Sequence, residues 1–470
     1  MLDGGAIPHF TPNPMIQANI DGTKIAITKE LVEKYNHPGP RYTSYPTAPN
    51  WNKDFGPKNY RERLETSNKT GRNLSLYFHI PFCEERCTFC ACSVVATKRH
   101  EVAEPYLDCL LKEIKTVSEH LNHNRPVSQI HWGGGTPTYL TPAQIEKLFN
   151  AISQNFSIDK DAEISIEVDP RVTTDEQLKV LRRLGFNRSS LGVQDFEPEV
   201  QELAGRIQSE EETRHTLETC KELGFKSVNI DLVYGLPKQT FKTFENTLQK
   251  VLQINPDRIA LFNFAFVPWM HAHQRKLLEQ NLPNGWEKLQ MFCNAVETFQ
   301  NAGYEFIGLD HFAKKEDELS RAKRDGTMYR NFQGYTTKAD CDLIGLGVTS
   351  IGYVDEAFTQ NQKKLKDYEE ASAKEGLATN HGMFLTEEDL ARQRIIREIF
   401  CHQKIERTKN FDTLFSNELK QLAALEADGL VKINPNRIDI TPLGRLFLRN
   451  IGMIFDAYLK PGQGKFSKTV

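Results

Sequence analysis

The run LSLYFHIPFC at residues 74–83 leads a β-rich segment directly into a cysteine, and this junction decides the fold. It is the first of six short β-rich runs, and an amphipathic helical segment follows each of the first five. Such alternation is typical of a parallel sheet built from βα units, so we predict a partial (β/α)6 barrel. The other runs are QIHWGG at 129–134, EISIEV at 163–168, SSLGVQ at 189–194, SVNIDLVYG at 227–235 and RIALFNF at 258–264.

The helix starts between these runs are marked by capping boxes. Thr141 with Gln144, Thr174 with Gln177 and Ser209 with Glu212 each place a hydroxyl three residues before a side chain that can bond back to the cap. Each pair precedes an apolar-periodic run, which supports the βα reading.

The chain divides into three predicted regions. Residues 1–50 are an N-terminal extended segment, because roughly the first 40 are rich in Pro, Gly and Asn without a helical or strand period. Residues 51–375 form the catalytic barrel. Residues 376–470 form a smaller, mainly helical domain with one β-hairpin at VKINPNRIDIT (431–441).

Composition excludes several classes of partner. A net charge of −3 and a pI near 6.5 provide no global basic field, so we expect neither a nucleic-acid nor an anionic-membrane partner. The start MLDGGAIPHFTPNPM lacks the features of a signal peptide, and no apolar run is long enough to span a bilayer.

Four of the nine cysteines fall within ten residues, which indicates metal ligands in a reducing compartment. We expect a cytoplasmic monomer.

Cys83, Cys87 and Cys90 follow the first strand with C-x3-C-x2-C spacing, and Cys92 adds a C-x-C step. Three thiolates in one short loop can hold three corners of a [4Fe-4S] cluster and leave one iron open for a chelating ligand. The alternative is structural zinc, which needs four protein ligands. His79 and Cys92 could complete such a site, but no second CxxC lies downstream, so we favour the cluster.

Polar residues and glycines stand where the predicted strands end. The carboxyl ends of parallel barrel strands share one rim, which is where such folds carry out chemistry. We expect the glycines to let a ligand approach the backbone closely, and the carboxylates to accept hydrogen bonds from a bound nucleoside. These residues are Tyr77, His79, Gly133–Pro137, Glu167, Asp169, Gln194, Asp231 and Asn263.

The cysteine loop followed by GGGTP at 133–137 resembles the radical S-adenosylmethionine superfamily, and the aromatic Phe89 before Cys90 fits the same pattern. From about residue 35 to the C-terminal domain, the chain more specifically resembles the oxygen-independent coproporphyrinogen III oxidase family. One departure from the family pattern is Ala91, between Cys90 and Cys92, because the pattern has glycine at this position. The segments that carry the resemblance are PRYTSYPTA (40–48), HIPFC (79–83), GVQDF (192–196), NIDLVYGLP (229–237), FIGLDHFA (306–313), RNFQGYTT (330–337) and DLIGLGVTSIG (342–352).

The resemblance implies a cofactor set: a [4Fe-4S] cluster on Cys83, Cys87 and Cys90, and two molecules of S-adenosylmethionine. For the first molecule it implies Tyr77, Gly134, Glu167, Gln194, Arg206, Asp231, Ala265 and Ile351. For the second it implies Phe89, Gly135 and Thr136.

The resemblance further implies an oxidoreductase that converts two propionates of coproporphyrinogen III to vinyl groups, giving protoporphyrinogen IX in haem biosynthesis. An electron donor and an acceptor are required, and the sequence identifies neither. No side chain is assigned as catalytic. The alternative is a haem-binding chaperone of the same superfamily; Cys92 and the RYTSYPTA segment favour the oxidase. Because cations hold carboxylates and aromatic rings cover pyrroles, the candidate substrate residues are Arg41, Tyr42, Arg275, His311 and Arg330.

Overall fold

The computed structural model describes residues 15–460 and 466–470. Most of its strands belong to one large sheet, and the others form short separate ladders. In chain order the strands are β1 (Met15–Ile20), β2 (Thr23–Thr28), β3 (Leu74–Ile80), β4 (Phe82–Cys83), β5 (Val95–Ala96), β6 (Pro126–Gly134), β7 (Ser157–Val168), β8 (Arg188–Gln194), β9 (Ser227–Tyr234), β10 (Arg258–Asn263), β11 (Tyr304–Gly308), β12 (His311–Lys314), β13 (Tyr329–Asn331), β14 (Gly334–Thr336), β15 (Asp342–Leu346), β16 (Ile351–Val354), β17 (Ala357–Asn361), β18 (Thr379–Phe384), β19 (Lys404–Glu406), β20 (Val431–Ile433) and β21 (Arg437–Ile440).

The helices alternate with the parallel strands and then dominate the C-terminal region. In chain order they are α1 (Lys29–Tyr35), α2 (Pro57–Ser67), α3 (Ala103–Glu119), α4 (Pro142–Asn155), α5 (Asp175–Arg183), α6 (Pro198–Ala204), α7 (Glu210–Glu222), α8 (Phe241–Ile254), α9 (Gly285–Asn301), α10 (Glu318–Arg324), α11 (Leu365–Glu375), α12 (Glu387–His402), α13 (Phe411–Leu414), α14 (Ser416–Ala427) and α15 (Leu448–Ile454).

The six predicted strands are the centre of the large sheet. Its order is β11-β12-β10-β9-β8-β7-β6-β3-β15-β16-β17-β18, and the neighbours from β10 to β15 run parallel. Antiparallel strands extend both edges, and within the described residues the two edge strands β11 and β18 do not pair, so the barrel stays open. The prediction of a partial α/β barrel is confirmed.

The predicted capping boxes form at the starts of α4, α5 and α7. Thr141, Thr174 and Ser209 each accept a hydrogen bond from the backbone N–H three residues on, and the side chain there bonds back to the cap. Each cap satisfies backbone N–H groups in the first turn of a helix that follows the carboxyl end of a parallel strand.

The prediction of an extended N-terminal segment is wrong for residues 15–35. These residues form the hairpin β1–β2 and then α1, because Asp21 and Gly22 adopt the positive φ angles of a tight turn while Ile16, Ala18 and Ile20 alternate on a buried face. Residues 36–47 contain no helix and only an isolated bridge, as expected. Residues 1–14 lie outside the described residues.

The C-terminal region contains the predicted helices and hairpin, here α12, α14, α15 and β20–β21. β18 lies beyond the predicted boundary at residue 375, yet it pairs with β17 of the central sheet. The central sheet thus continues past residue 375, and the predicted domain limits stay a prediction. Among residues 15–460 and 466–470, none of the helices has the length and apolar character that crossing a bilayer requires.

Candidate active site

The parallel strands end at one rim, and the loops after them surround an open cavity of about 1360 Å³, which we call the cluster cavity. It brings together most of the residues that the sequence singled out. Those that line it are Arg41, Cys83, Cys87, Phe89, Cys90, Cys92, Gly134, Gly135, Thr136, Glu167, Asp169, Gln194, Arg206, Asp231, Asn263 and Ala265.

The cysteine loop lies along one wall of the cluster cavity. Cys83 Sγ is 3.4 Å from the hydroxyl of Thr136, and burial raises the pKa of the Cys83 thiol to about 11. A hydrogen bond from Cys92 lowers the pKa of Cys90 to about 7. In the described residues no group of three or more His, Cys, Asp or Glu side chains is arranged to hold a single metal ion. The donor set, three thiols of one loop on an open cavity, fits a [4Fe-4S] cluster.

The glycine loop after β6 leaves no room for side chains. A Cβ on Gly134, whose φ is +113°, would lie 2.6 Å from Cε1 of His79, and one on Gly135 would lie 2.6 Å from the carbonyl oxygen of Phe82. Only glycine combines this backbone conformation with such close contacts. The two glycines therefore let this loop pack directly against His79 and the start of the cysteine loop.

Tyr77 lies beneath this loop and outside the cluster cavity. Because the carbonyl of Ser93 can only accept a hydrogen bond, His79 Nε2 donates to it (3.0 Å), and Nδ1 of His79 accepts from the Tyr77 hydroxyl (2.9 Å). Tyr77 also stacks on His131, with ring centroids 5.9 Å apart. In this arrangement Tyr77 supports the residues that face the ligand.

Glu167 stands in the middle of the rim as a half-buried carboxylate. Its Oε2 accepts from the backbone N–H of Gly134 (3.1 Å), and its Oε1 lies 3.4 Å from His131 Nε2. Burial alone would raise the pKa of Glu167, but these two hydrogen bonds, together with electrostatic attraction from His131 and His79, outweigh it and hold the pKa below its usual range. Glu167 is therefore ionised at neutral pH.

Asp231 lies deeper on the same side of the cavity. Its two carboxylate oxygens accept from Ser190 Oγ (3.0 Å) and Asn229 Nδ2 (2.7 Å). Burial and then the neighbouring charge of Glu167 raise the pKa of Asp231 to about 6. The pair consequently has one permanently charged member and one that titrates near neutral pH.

A buried ion-pair network supports the opposite side. Arg206 bonds Asp169 at 3.0 Å and the carbonyl of Gly192 at 2.6 Å, and its Nη1 lies 4.0 Å from Cys87 Sγ. Arg171 closes the network on Asp169 at 2.7 Å. The buried Nε of Arg206 has no partner among the residues that the structure describes.

The segment after β10 is tied to the cysteine loop. The buried amide of Gln274 donates to the carbonyls of Phe89 (2.9 Å) and Ala265 (3.2 Å), and His273 Nε2 lies 2.6 Å from the carbonyl of Cys90. These bonds hold Phe89 and Ala265 at fixed positions on the cavity wall.

Three predicted site residues lie in a second cavity. We call this cavity of about 750 Å³ the aromatic pocket; Tyr42, Tyr329, Arg330, Ile351 and Phe400 are among the residues that line it. Tyr42 and Arg330 were predicted to contact substrate, and Ile351 to contact S-adenosylmethionine. The structure places them together, but beside the cluster cavity.

The remaining two predicted substrate residues lie apart from each other. His311, paired with Asp310 at 2.6 Å, lines a polar cavity of about 890 Å³ that shares Glu167 and Asp231 with the cluster cavity. Arg275 is exposed and donates to the carbonyl of Pro268 in its own loop (3.3 Å). Their roles stay predictions, as do those of the cofactor-binding residues.

Several side chains that shape the site could not be assigned from the sequence. His131 and Ser190 bond the two acids, Arg171 pairs with Asp169, and Gln274 bonds the cysteine loop. His131 did carry a signal, because strand alternation puts it on the same face as Gly133. Gln274 carried none, since its partners are main-chain carbonyls of distant segments.

Comparisons with known proteins identify the family. Residues 77–251 match the family model described as the Radical SAM superfamily. The chain is 45% identical over 449 residues to the oxygen-independent coproporphyrinogen III oxidase of Escherichia coli, covering 94% of this chain and 98% of the relative. It is 43% identical over 459 residues to the Synechocystis protein of that name, covering 95% and 98%.

A solved structure is similar as well. It is the coproporphyrinogen III oxidase of Escherichia coli, described as a radical SAM enzyme; it superposes with a TM-score of 0.86 at 45% identity and covers 89% of this chain and 98% of that one. Identity at this level over more than nine-tenths of its length shows that the chain belongs to the oxygen-independent coproporphyrinogen III oxidase family of radical S-adenosylmethionine enzymes.

Proposed function

We propose that this chain catalyses the anaerobic oxidative decarboxylation of two propionates of coproporphyrinogen III to vinyl groups, giving protoporphyrinogen IX in porphyrin biosynthesis. The observation that carries this proposal is one cavity lined by three cysteines of a single loop, a glycine loop and two strand-end acids. The relatives that share this chain's full span are named for the same reaction.

The reaction must remove an unactivated hydrogen from the β-carbon of a propionate, which side-chain acids and bases cannot do. A [4Fe-4S] cluster held by Cys83, Cys87 and Cys90, with S-adenosylmethionine at its open iron, supplies the carbon-radical chemistry when bound. The protein contributes orientation and the exclusion of competing reactions.

The ligand-binding part of the proposal rests on groups aimed at the cluster cavity. Glu167 is an ionised carboxylate that suits an ammonium or ribose hydroxyls, and Arg206 has an unpaired buried N–H that suits a carboxylate. Gly134 and Gly135 line the cavity, and we expect their backbone to contact the amino-acid moiety. Gln274 fixes both Ala265, which bounds the space for the first S-adenosylmethionine, and Phe89, which bounds the space for the second.

The substrate side of the proposal starts from Arg41, which lines the cluster cavity and bonds the carbonyl of Asn263. Its guanidinium can hold the carboxylate of a reacting propionate. His311 lines the polar cavity that also contains Glu167 and Asp231, the two acids of the cluster cavity. We further propose that the protein acts as a cytoplasmic monomer with an external electron donor and acceptor.

The test is anaerobic incubation of the reconstituted protein with coproporphyrinogen III, S-adenosylmethionine, a one-electron reductant and an electron acceptor that takes the electron left after loss of carbon dioxide. We expect protoporphyrinogen IX, and no product from a Cys87→Ser control. Stable haem binding with no decarboxylation would instead support the chaperone function and contradict the proposal.

A further inference from the structure

The aromatic pocket has a composition that the cluster chemistry does not require. Its walls include the rings of Tyr42, Tyr329, Tyr353, Phe358 and Phe400. Tyr353 and Phe358 pack at 4.8 Å between centroids. Such walls suit a flat or bowl-shaped apolar ligand with extended ring edges.

Three cations line the same pocket: Arg330, Lys338 and Arg397. No Asp or Glu is among the lining residues, and within the described part of the chain none of the three cations makes an ion pair with a carboxylate. The pocket wall therefore carries an excess of positive charge, relieved at Arg330 only by the more distant carboxylate of Asp310, and an incoming anion would be attracted to it.

Two of these cations are oriented by hydrogen bonds to uncharged groups, so neither is in an ion pair. Arg330 bonds the carbonyls of Arg41 and Tyr42 and lies over the ring of Phe400, 5.3 Å from its centroid. Its buried Nε has no partner in the described residues. Arg397 bonds the hydroxyl of Tyr329 at 3.2 Å. Pre-oriented guanidinium groups lose little freedom on binding a carboxylate.

The pocket adjoins the cluster cavity. Arg41 lines the cluster cavity and the next residue, Tyr42, lines the aromatic pocket, so one short stretch of chain separates them. Tyr42 adopts a positive φ of 49° there, a conformation that a bulky residue rarely takes. Its hydroxyl bonds Asp456 at 2.9 Å, which holds it in place.

We propose that the aromatic pocket binds the two propionates that the reaction leaves intact, with the pyrroles that carry them packed on its aromatic walls. This inference rests on the proposed function. The substrate has four propionates and loses two, so the retained pair needs cations that lie away from the reacting carbon. Arg330, Lys338 and Arg397 meet that requirement, while Arg41 remains for the reacting propionate.

The experiment measures porphyrin binding to the cluster-loaded, full-length protein by fluorescence under anaerobic conditions, with two probes. Coproporphyrin III has all four propionates, and protoporphyrin IX has only the retained pair. We expect Arg397→Gln and Lys338→Gln each to weaken the binding of both probes about tenfold, since each removes one charge-assisted contact. Arg397→Lys should recover part of the loss.

The matched control is Arg394→Gln, which removes an exposed cation of the same helix that pairs with Glu398 at 3.0 Å. It should change neither affinity. Unchanged binding of both probes in Arg397→Gln and Lys338→Gln would overturn the proposal, as would a loss confined to coproporphyrin III. If Arg397→Gln does not fold, Lys338→Gln decides alone. Parental protein that binds neither probe and forms no product would refute the proposed function itself.

Discussion

Replacement of Asp231 by Asn should change how the stability of the protein depends on pH. The pKa of Asp231 rises from 3.8 to about 6 on folding, because the carboxyl is buried beside the charge of Glu167. A raised carboxyl pKa means that the folded state binds the proton more tightly than the unfolded state. Ionisation of Asp231 therefore opposes folding as pH rises above 3.8, and the effect is complete above about pH 6.

The size of the effect follows from the two pKa values. Linkage gives a destabilisation of about 0.6 kcal/mol at pH 4 and about 3 kcal/mol at pH 8. Asp231→Asn abolishes this contribution. It also alters the hydrogen bonds from Ser190 and Asn229, and the part of that change that depends on pH is already contained in the pKa of about 6. The free energy of unfolding of the variant relative to the parent should thus increase by about 2.4 kcal/mol between pH 4 and pH 8.

The assay is urea unfolding of both proteins at several pH values without S-adenosylmethionine. The difference between the proteins at each pH cancels the titration of all other groups that behave alike in both. A difference that stays constant within about 0.5 kcal/mol across this range would refute the reasoning, because Asp231 would then ionise as freely in the folded protein as in the unfolded chain.

Three further variants test the rest of the site. Gly134→Ala should lower the urea midpoint and abolish S-adenosylmethionine binding, since its Cβ would lie 2.6 Å from the His79 ring at a φ of +113°; unchanged binding by calorimetry would contradict this. Arg206→Met should destabilise the protein by about 2 kcal/mol because it removes one of the two arginines that pair with the buried Asp169, while Arg171 stays, and a loss under about 0.5 kcal/mol in urea would count against it. Cys92→Ser should retain the iron and sulfide of the cluster but lose turnover, so loss of iron on chemical analysis would show that Cys92 is a ligand.

The sequence predicted the centre of the fold because its signals are local. β3 and β6 to β10 are short apolar runs, and capped helices follow β6 and β7 directly, so these strands could be recognised within windows of about 30 residues. The hairpin at residues 15–28 was also local, but its Asp-Gly turn was overlooked among the prolines and glycines. The strand β15 had no such signal, since its partner β3 lies more than 260 residues away.

In the site, too, local features could be predicted from the sequence, and contacts between distant residues could not. Glu167 and Asp231 were predictable because strand ends share one rim in a parallel sheet. The environments that set their pKa values were not, since they depend on cross-strand neighbours such as His131 and Ser190. The aromatic pocket was invisible as a unit: it joins Tyr42, Arg330 and residues of α12 that sequence alone cannot bring together.

The central claim, that a radical derived from S-adenosylmethionine removes the propionate hydrogen in the cluster cavity, has one direct test. Coproporphyrinogen III carrying deuterium at the propionate β-carbons is turned over anaerobically, and the 5′-deoxyadenosine formed is analysed by mass spectrometry. The account predicts one deuterium in the 5′-deoxyadenosine for each vinyl group produced, and neither product with Cys87→Ser. Formation of vinyl groups together with 5′-deoxyadenosine that carries no deuterium would contradict it.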